Sequence, residues 1–247
     1  MESSLPGASL SVYRRFFTSA GDVRALERTL SLTAVVTVLA LALGLFIAWE
    51  LRLASGRRKS VILAIVVFPV WTSVIVRIYA LTILFERHGI INNALVGAGI
   101  RDQPVQLLYT NKAVVVGMLY TVLPYATLPI YASLANVELE LTAAAESLGA
   151  SKTRAFWTIV VPLILPALVA TGALVFVLGL GFYVTPLLLG NSTAPFLAGT
   201  ISNDIFVFFD VPSAAAAGVV LIVIAFGCMA VTWRVVGVER LQRAVVA

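Results

Sequence analysis

The sequence predicts an all-α integral membrane protein with about five transmembrane helices, and three observations carry that prediction. The chain of 247 residues is 60% hydrophobic and 12% charged, with a mean hydropathy of +1.02, whereas soluble domains carry about 25% charged residues. Five apolar runs, at 30–50, 60–85, 111–136, 162–189 and 213–236, have the length of about 20 residues that a helix needs to cross a bilayer. The basic residues gather at the ends of these runs.

Orientation follows from those ends. If the break at 138–161 is cytoplasmic, the cytoplasmic segments hold Arg52, Arg57, Arg58, Lys59, Lys152, Arg154, Arg234, Arg240 and Arg243. The opposite loops then hold Arg87, Arg101 and Lys112, with none from Gly190 to Pro212. Trp49, Trp157 and Trp233 fall at the same cytoplasmic interface, as an aromatic belt should. The N-terminus runs against this pattern, because five spans and a cytoplasmic C-terminus put Arg14, Arg15, Arg24 and Arg28 outside. Two readings stand. Residues 1–28 are an external segment compensated by a partner or an upstream helix. Alternatively, residues 8–28 lie along the interface as a helix, with Tyr13, Phe16 and Phe17 dipping into lipid.

Composition also removes several function classes. The net charge of +5 is spread over helix ends, which excludes a nucleic-acid face. The single cysteine, Cys228, excludes an intrachain disulfide, and one histidine without a Cys/His cluster argues against a metal site. Residues 1–22 are polar and lack the apolar core of a signal peptide. No nucleophile–base pair suggests catalysis.

Taken in order, the second run contains Pro69, expected to kink it, and Trp71, Arg77 and Tyr79. An arginine within a span costs roughly 2.5–3.5 kcal/mol unless it faces protein or water. Arg77 is therefore either a pathway residue or an arginine paired to backbone carbonyls. Residues 86–110 read as a re-entrant or short external helix and a loop, with His88 on the surface. The third run carries Pro124 and Pro129, tolerable only where the helix faces protein or a cavity. The fourth has Gly172, Gly179 and Gly181 for close packing, then Tyr183 and Thr185 beside Pro186 as candidate pathway-lining groups. Residues 191–212 read as an external loop. Its Asn191-Ser192-Thr193 triplet matches a glycosylation acceptor but is too common a pattern to carry weight.

The most informative stretch is the polar break at 138–162. Glu138 and Glu140 suit the positive N-terminal end of a short helix, and Leu141, Ala144, Ala145 and Leu148 form one apolar stripe along it. Gly149 can take the left-handed conformation that ends such a helix, and Ser151 can cap the next. This is a small docking element.

Here the chain resembles the permease subunits of bacterial ATP-binding-cassette importers. Their cytoplasmic loop reads Glu-Ala-Ala, three residues, Gly, nine residues, Ile, one residue, Leu-Pro. This chain has Ala143, Ala144, Ala145, then Gly149, Ile159, Val161 and Pro162 at those spacings. It departs at Ala143, where the family has Glu, and at Val161, where it has Leu. A second block resembles the spermidine/putrescine-type branch: Pro69-Val70-Trp71-Thr72-Ser73, Arg77, Tyr79-Ala80, Gly89-Ile90-Ile91-Asn92 and Gly181–Gly190. The resemblance runs from about Tyr13 onward, and of the family's six helices the first has no counterpart.

The resemblance implies a permease domain over 29–247 in the bacterial inner membrane. It implies a cytoplasmic coupling helix built from Ala143, Ala144, Ala145, Glu146, Leu148, Gly149, Ala150, Ser151, Ile159 and Pro162. The implied partners are two ATP-binding subunits, a second, related permease chain and an external solute-binding protein. ATP and magnesium would sit on the ATPases, since this chain has no Gly-rich Lys-Ser/Thr loop. The expected cargo is a polyamine-like or related small organic solute. A stand-alone secondary transporter or channel is the alternative, and it would be expected to bury coupling acids, whereas no acid lies deep inside a predicted span.

Overall fold

The computed structural model describes residues 10–191 and 195–237. Residues 1–9 of the N-terminal segment, Ser192 and Thr193 of the acceptor triplet, and Arg240 and Arg243 lie outside the described residues. Within them the chain is α-helical, without a strand, and runs α1 Leu10–Thr18, α2 Ala20–Leu53, α3 Gly56–Trp71, α4 Val74–Phe85, α5 Ile90–Gly97, α6 Asn111–Ala135, α7 Leu139–Ser147 and α8 Lys152–Ala155. A π-helical turn, Phe156–Val160, leads into α9 Val161–Leu180, then α10 Val184–Leu189, α11 Leu197–Phe206 and α12 Val211–Val236.

Four helical stretches are long and apolar enough to span a bilayer: Ala20–Leu53, Asn111–Ala135, Lys152–Leu180 and Val211–Arg234. A fifth is the bent pair Gly56–Trp71 and Val74–Gly97. This agrees with the expected five, but two runs are built differently from the prediction. The run at 60–85 is not one helix: the backbone turns extended at Ser73 (φ −56°, ψ 137°) and α4 starts afresh. Pro69, the expected kink, stays inside α3. Thr72 and Ser73, whose hydroxyls compete with helical hydrogen bonding, mark the break instead. The run at 162–189 likewise ends at Leu180, and α10 forms separately. The predicted external loop contains the ten-residue α11.

The chain divides into two compact units, with four borders inside long helices and one at the α3–α4 break. The first comprises Met1–Val36, Thr72–Tyr120 and Val177–Phe226. In it Phe16, Ala25, Leu197 and Ala217 are buried together, against Leu26, Ile201, Val220 and Leu221. Phe16 therefore packs into protein, contrary to the expectation that it dips into lipid; Phe17 beside it faces outward. Residues 20–28 belong to the same continuous helix as the first span, so the separate helix expected over 8–28 covers only α1. Ser19 caps that long helix, its Oγ accepting the Asp22 N–H at 3.3 Å. Three of the four N-terminal arginines find acceptors within the unit. Arg15 pairs with Asp210 at 3.3 Å, Arg24 Nε donates to Ala20 O at 2.7 Å, and Arg28 Nη2 donates to Asn111 Oδ1 at 2.6 Å. Buried Thr29 joins α2 to α11: its hydroxyl donates to Ala25 O and accepts the first free N–H of α11, at Leu197.

The second unit comprises Thr37–Trp71, Thr121–Phe176 and Gly227–Ala247. Its core is Ala48, Ile130, Leu134, Val160 and Ile164, with Trp49, Tyr131 and Phe156 packed around it. Trp49 and Phe156 meet edge to face, ring centroids 4.6 Å apart. Arg52, at the end of α2, donates from Nη1 to Leu134 O and from Nη2 to Val137 O. Leu134 lies in the last turn of α6, where its O also accepts the Val137 N–H at 3.2 Å, and Val137 lies two residues past the helix, an end whose dipole favours a cation.

Candidate functional site

The docking element forms as its sequence requires. Glu138 precedes α7 in extended conformation, and α7 ends in a Schellman arrangement: Gly149 N–H donates to Glu146 O and Ala150 N–H to Ala145 O, each at 3.0 Å. Gly149 has φ +93°, a conformation that a side chain would strain, although open space surrounds its Cα. Ser151 then caps α8, its Oγ accepting the Arg154 N–H at 3.3 Å. Beyond it the π-helical turn begins, one residue past buried Ala155.

The stripe expected along α7 is presented outward. Leu148 is 90% exposed and Leu141 43% exposed, with Ala144 exposed between them and Ala145 half-buried. Ala143, Glu146, Gly149 and Ser151 are also exposed, Ala150 is half-buried, and further on Ile159 is half-buried and Pro162 exposed. Leu148 at the C-cap of α7 and Leu141 two turns earlier thus give this face two exposed leucines.

The candidate pathway residues divide. Arg77 sits in the first turn of α4 and is buried; its Nη2 donates to Thr72 O at 2.8 Å, its Nε reaches Thr72 Oγ1 at 3.4 Å, and the guanidinium lies over the Tyr120 ring at 5.6 Å. Of the two readings of Arg77, pairing to a backbone carbonyl is the one seen, and the carbonyl belongs to the helix break. Tyr79, on the same helix, is 59% exposed, and Trp71, at the end of α3, is 85% exposed. Tyr183 is half-buried beside α11, where it approaches Gly199. Thr185 is fully buried; its methyl lies so close to Gly117 that a Cβ there would be 2.8 Å from it. Its position is that of a packing residue between α10 and α6.

Two residues carry more of this geometry than the sequence reading gave them. Arg52 entered only as a cytoplasmic charge. Asn92, within the Gly89-Ile90-Ile91-Asn92 block, is buried and closes the α4–α6 connection: its amide donates to Glu86 O and Val105 O, and its Oδ1 accepts the Val105 N–H at 2.9 Å. The signal for Asn92 was a polar residue in an apolar short helix.

The described residues hold no group of three potential metal ligands. Comparison with known proteins gives the class. Residues 40–237 match the family of binding-protein-dependent transport system inner membrane components, and the chain belongs to that family. It is 30% identical over 209 residues to the spermidine/putrescine transport system permease protein PotB of Escherichia coli, covering 85% of this chain and 76% of that one. To the molybdenum transport system permease protein ModB of Haemophilus influenzae it is 29% identical over 160 residues, covering 65% and 68%. Among solved structures, the fold is similar to a chain of a bacterial alginate ABC transporter bound to its periplasmic protein (TM-score 0.77, 18% identity, 91% of this chain and 81% of that). It is also similar to one of the inward-facing MetNI methionine ABC transporter (TM-score 0.66, 16% identity, 87% and 94%).

The protein is thus a multi-pass inner-membrane permease subunit of an ABC importer, not an enzyme. ATP hydrolysis lies on separate partner chains, and the family works with a partner permease and a solute-binding protein.

Proposed function

We propose that this chain forms half of the translocation pathway of a polyamine-type importer and is driven through α7. Two ATP-binding subunits, carrying ATP and magnesium, would close on nucleotide and move the α7 elements of two permease chains, the second a different, related chain. The single observation that carries the coupling role is the outward stripe of Leu141, Ala144 and Leu148, on a helix ended by the Gly149 turn and followed directly by the Ser151 cap of α8. Burying a leucine of this exposure contributes roughly 1.5–3 kcal/mol, and the paired caps transmit displacement of α7 to α8 and α9 because no unstructured link intervenes. Coupling rests on shape and apolar contact, with Glu140 and Glu146 flanking the stripe where the family's Glu is replaced by Ala143.

The polyamine reading is supported by the identity to PotB and by the exposed aromatics Trp71 and Tyr79, whose faces attract cations. The test is uptake by the importer reconstituted with its ATPases, partner permease and binding protein. Labelled spermidine or putrescine should accumulate in an ATP-dependent, binding-protein-dependent manner. Accumulation of an oxyanion and no polyamine would overturn the substrate class while leaving the coupling role in place.

A further inference from the structure

The connection from α11 to α12 carries an unusual surface. Phe206, Val207, Phe208 and Phe209 follow one another and all are largely exposed, as is Val211 at the start of α12. The segment is not loose. The Val207 and Phe208 N–H groups both donate to Asn203 O, and the Asp210 N–H returns to Asp204 O at 2.8 Å. Asp210 also fixes the exit: its carboxylate accepts the Ser213 N–H at 3.2 Å and the Ser213 hydroxyl at 2.8 Å, capping α12. Between these anchors Phe209 has φ +54°, a left-handed conformation that is uncommon for a bulky aromatic and persists only where the surroundings impose it.

We propose that this aromatic tip, together with α1, is an anchor in the headgroup–acyl boundary of the external leaflet. Three observations identify lipid as the occupant. First, the tip continues an exposed apolar stripe on a helix long and apolar enough to span a bilayer. Val211, Ala215, Val219, Val223 and Phe226 are exposed at helical spacing along α12, a 26-residue span, so one stripe runs from the span into the tip. Second, α1 supplies the rest of an interfacial element: Phe16 is tucked into the core, Phe17 faces outward, and exposed Arg14 and Arg15 stand beside it, suited to lipid phosphates. The Arg15–Asp210 pair ties α1 to the tip. Third, the sequence order places one span, α9, between the cytoplasmic α7 and the tip, which puts the aromatics where a span emerges, at the depth aromatic belts occupy. The anchor holds the outer end of α12 and gives Arg14 and Arg15 a reason to be there.

The test uses the assembled importer in phosphatidylethanolamine–phosphatidylglycerol vesicles, with cysteine-free partner chains and Cys228→Ser. A spin label is placed at Phe208→Cys, at Phe206→Cys as a second position, and at Gln103→Cys on the exposed α5–α6 loop as the aqueous reference. Collision with oxygen and with a water-soluble nickel chelate reports depth. At both tip positions the ratio of oxygen to nickel accessibility should be several-fold above that at Gln103. A ratio equal to the Gln103 value would place the tip in water and overturn the proposal. Loss of collision with both agents would show a protein cover and overturn it equally.

Discussion

Arg52 turns a charge that membrane topology requires into a clamp, reaching the two carbonyls at the end of α6. Sequence placed it correctly on the cytoplasmic side, but its acceptors are backbone groups more than 80 residues away, for which no local pattern exists. Arg52→Met keeps the aliphatic stem and removes both donors, so Val137 O loses the Arg52 Nη2 donor while Leu134 O keeps only the Val137 N–H. It should lower stability by about 1–3 kcal/mol, measured as thermal unfolding of the purified complex. Asp204 and Asp210 make a contrasting pair. Burial, and then the Asp22 and Asp210 carboxylates, push Asp204 above the usual carboxylate value of 3.8 against the pull of Arg15. The Ser213 hydroxyl and N–H, helped by Arg15, hold Asp210 below it. An ionised Asp210 therefore stabilises the fold above the ordinary range, and that contribution is lost as pH falls through its folded value. Asp204 works in reverse: ionised at neutral pH it opposes folding, and it is relieved on protonation. Asp204→Asn should stabilise the protein at pH 7, with the difference disappearing below the ordinary aspartate range, and Asp210→Asn should destabilise at pH 7. Unfolding temperatures against pH read both signs.

The best-read element was the one whose signals are local. Stripe, glycine stop and serine cap all lie within 14 residues, from Glu138 to Ser151, and each took the conformation its chemistry favours. The breaks at Thr72–Ser73 and after Leu180 were missed because hydropathy runs through them uninterrupted, and a proline nearby drew attention away from two small hydroxyl residues. Helix α11 was missed because a loop rich in aromatics and aspartate lacks a clear helical period. Gly149 is the position at which the docking element breaks most easily. Gly149→Pro cannot reach φ +93° and should abolish binding-protein-stimulated ATPase activity while the protein still inserts. Gly149→Ala, with open space around it, should cost only about 1–2 kcal/mol and retain part of the coupling. Normal stimulated ATPase activity in the Pro variant would show that the angle at Gly149 does not transmit force.

At the scale of the whole molecule, composition, run lengths and charge bias were enough to assign a multi-pass membrane subunit, and motif spacing was enough to assign its family. Cargo was not legible in the same way: Trp71 and Tyr79 are exposed, Arg77 clasps a helix break and Thr185 packs beside Gly117, and none of these positions names a solute. Pathway lining depends on which surfaces a partner permease covers, and a single chain does not encode that locally. The account rests most heavily on α7 being the contact with a separate ATPase. A benzophenone placed at Leu148→Cys, in a Cys228→Ser chain within the transport-competent importer, tests this directly. Irradiation should join this chain to the ATPase subunit, with a yield that changes when ATP is added. A transport-competent complex that gives adducts only with lipid or with the partner permease would contradict it.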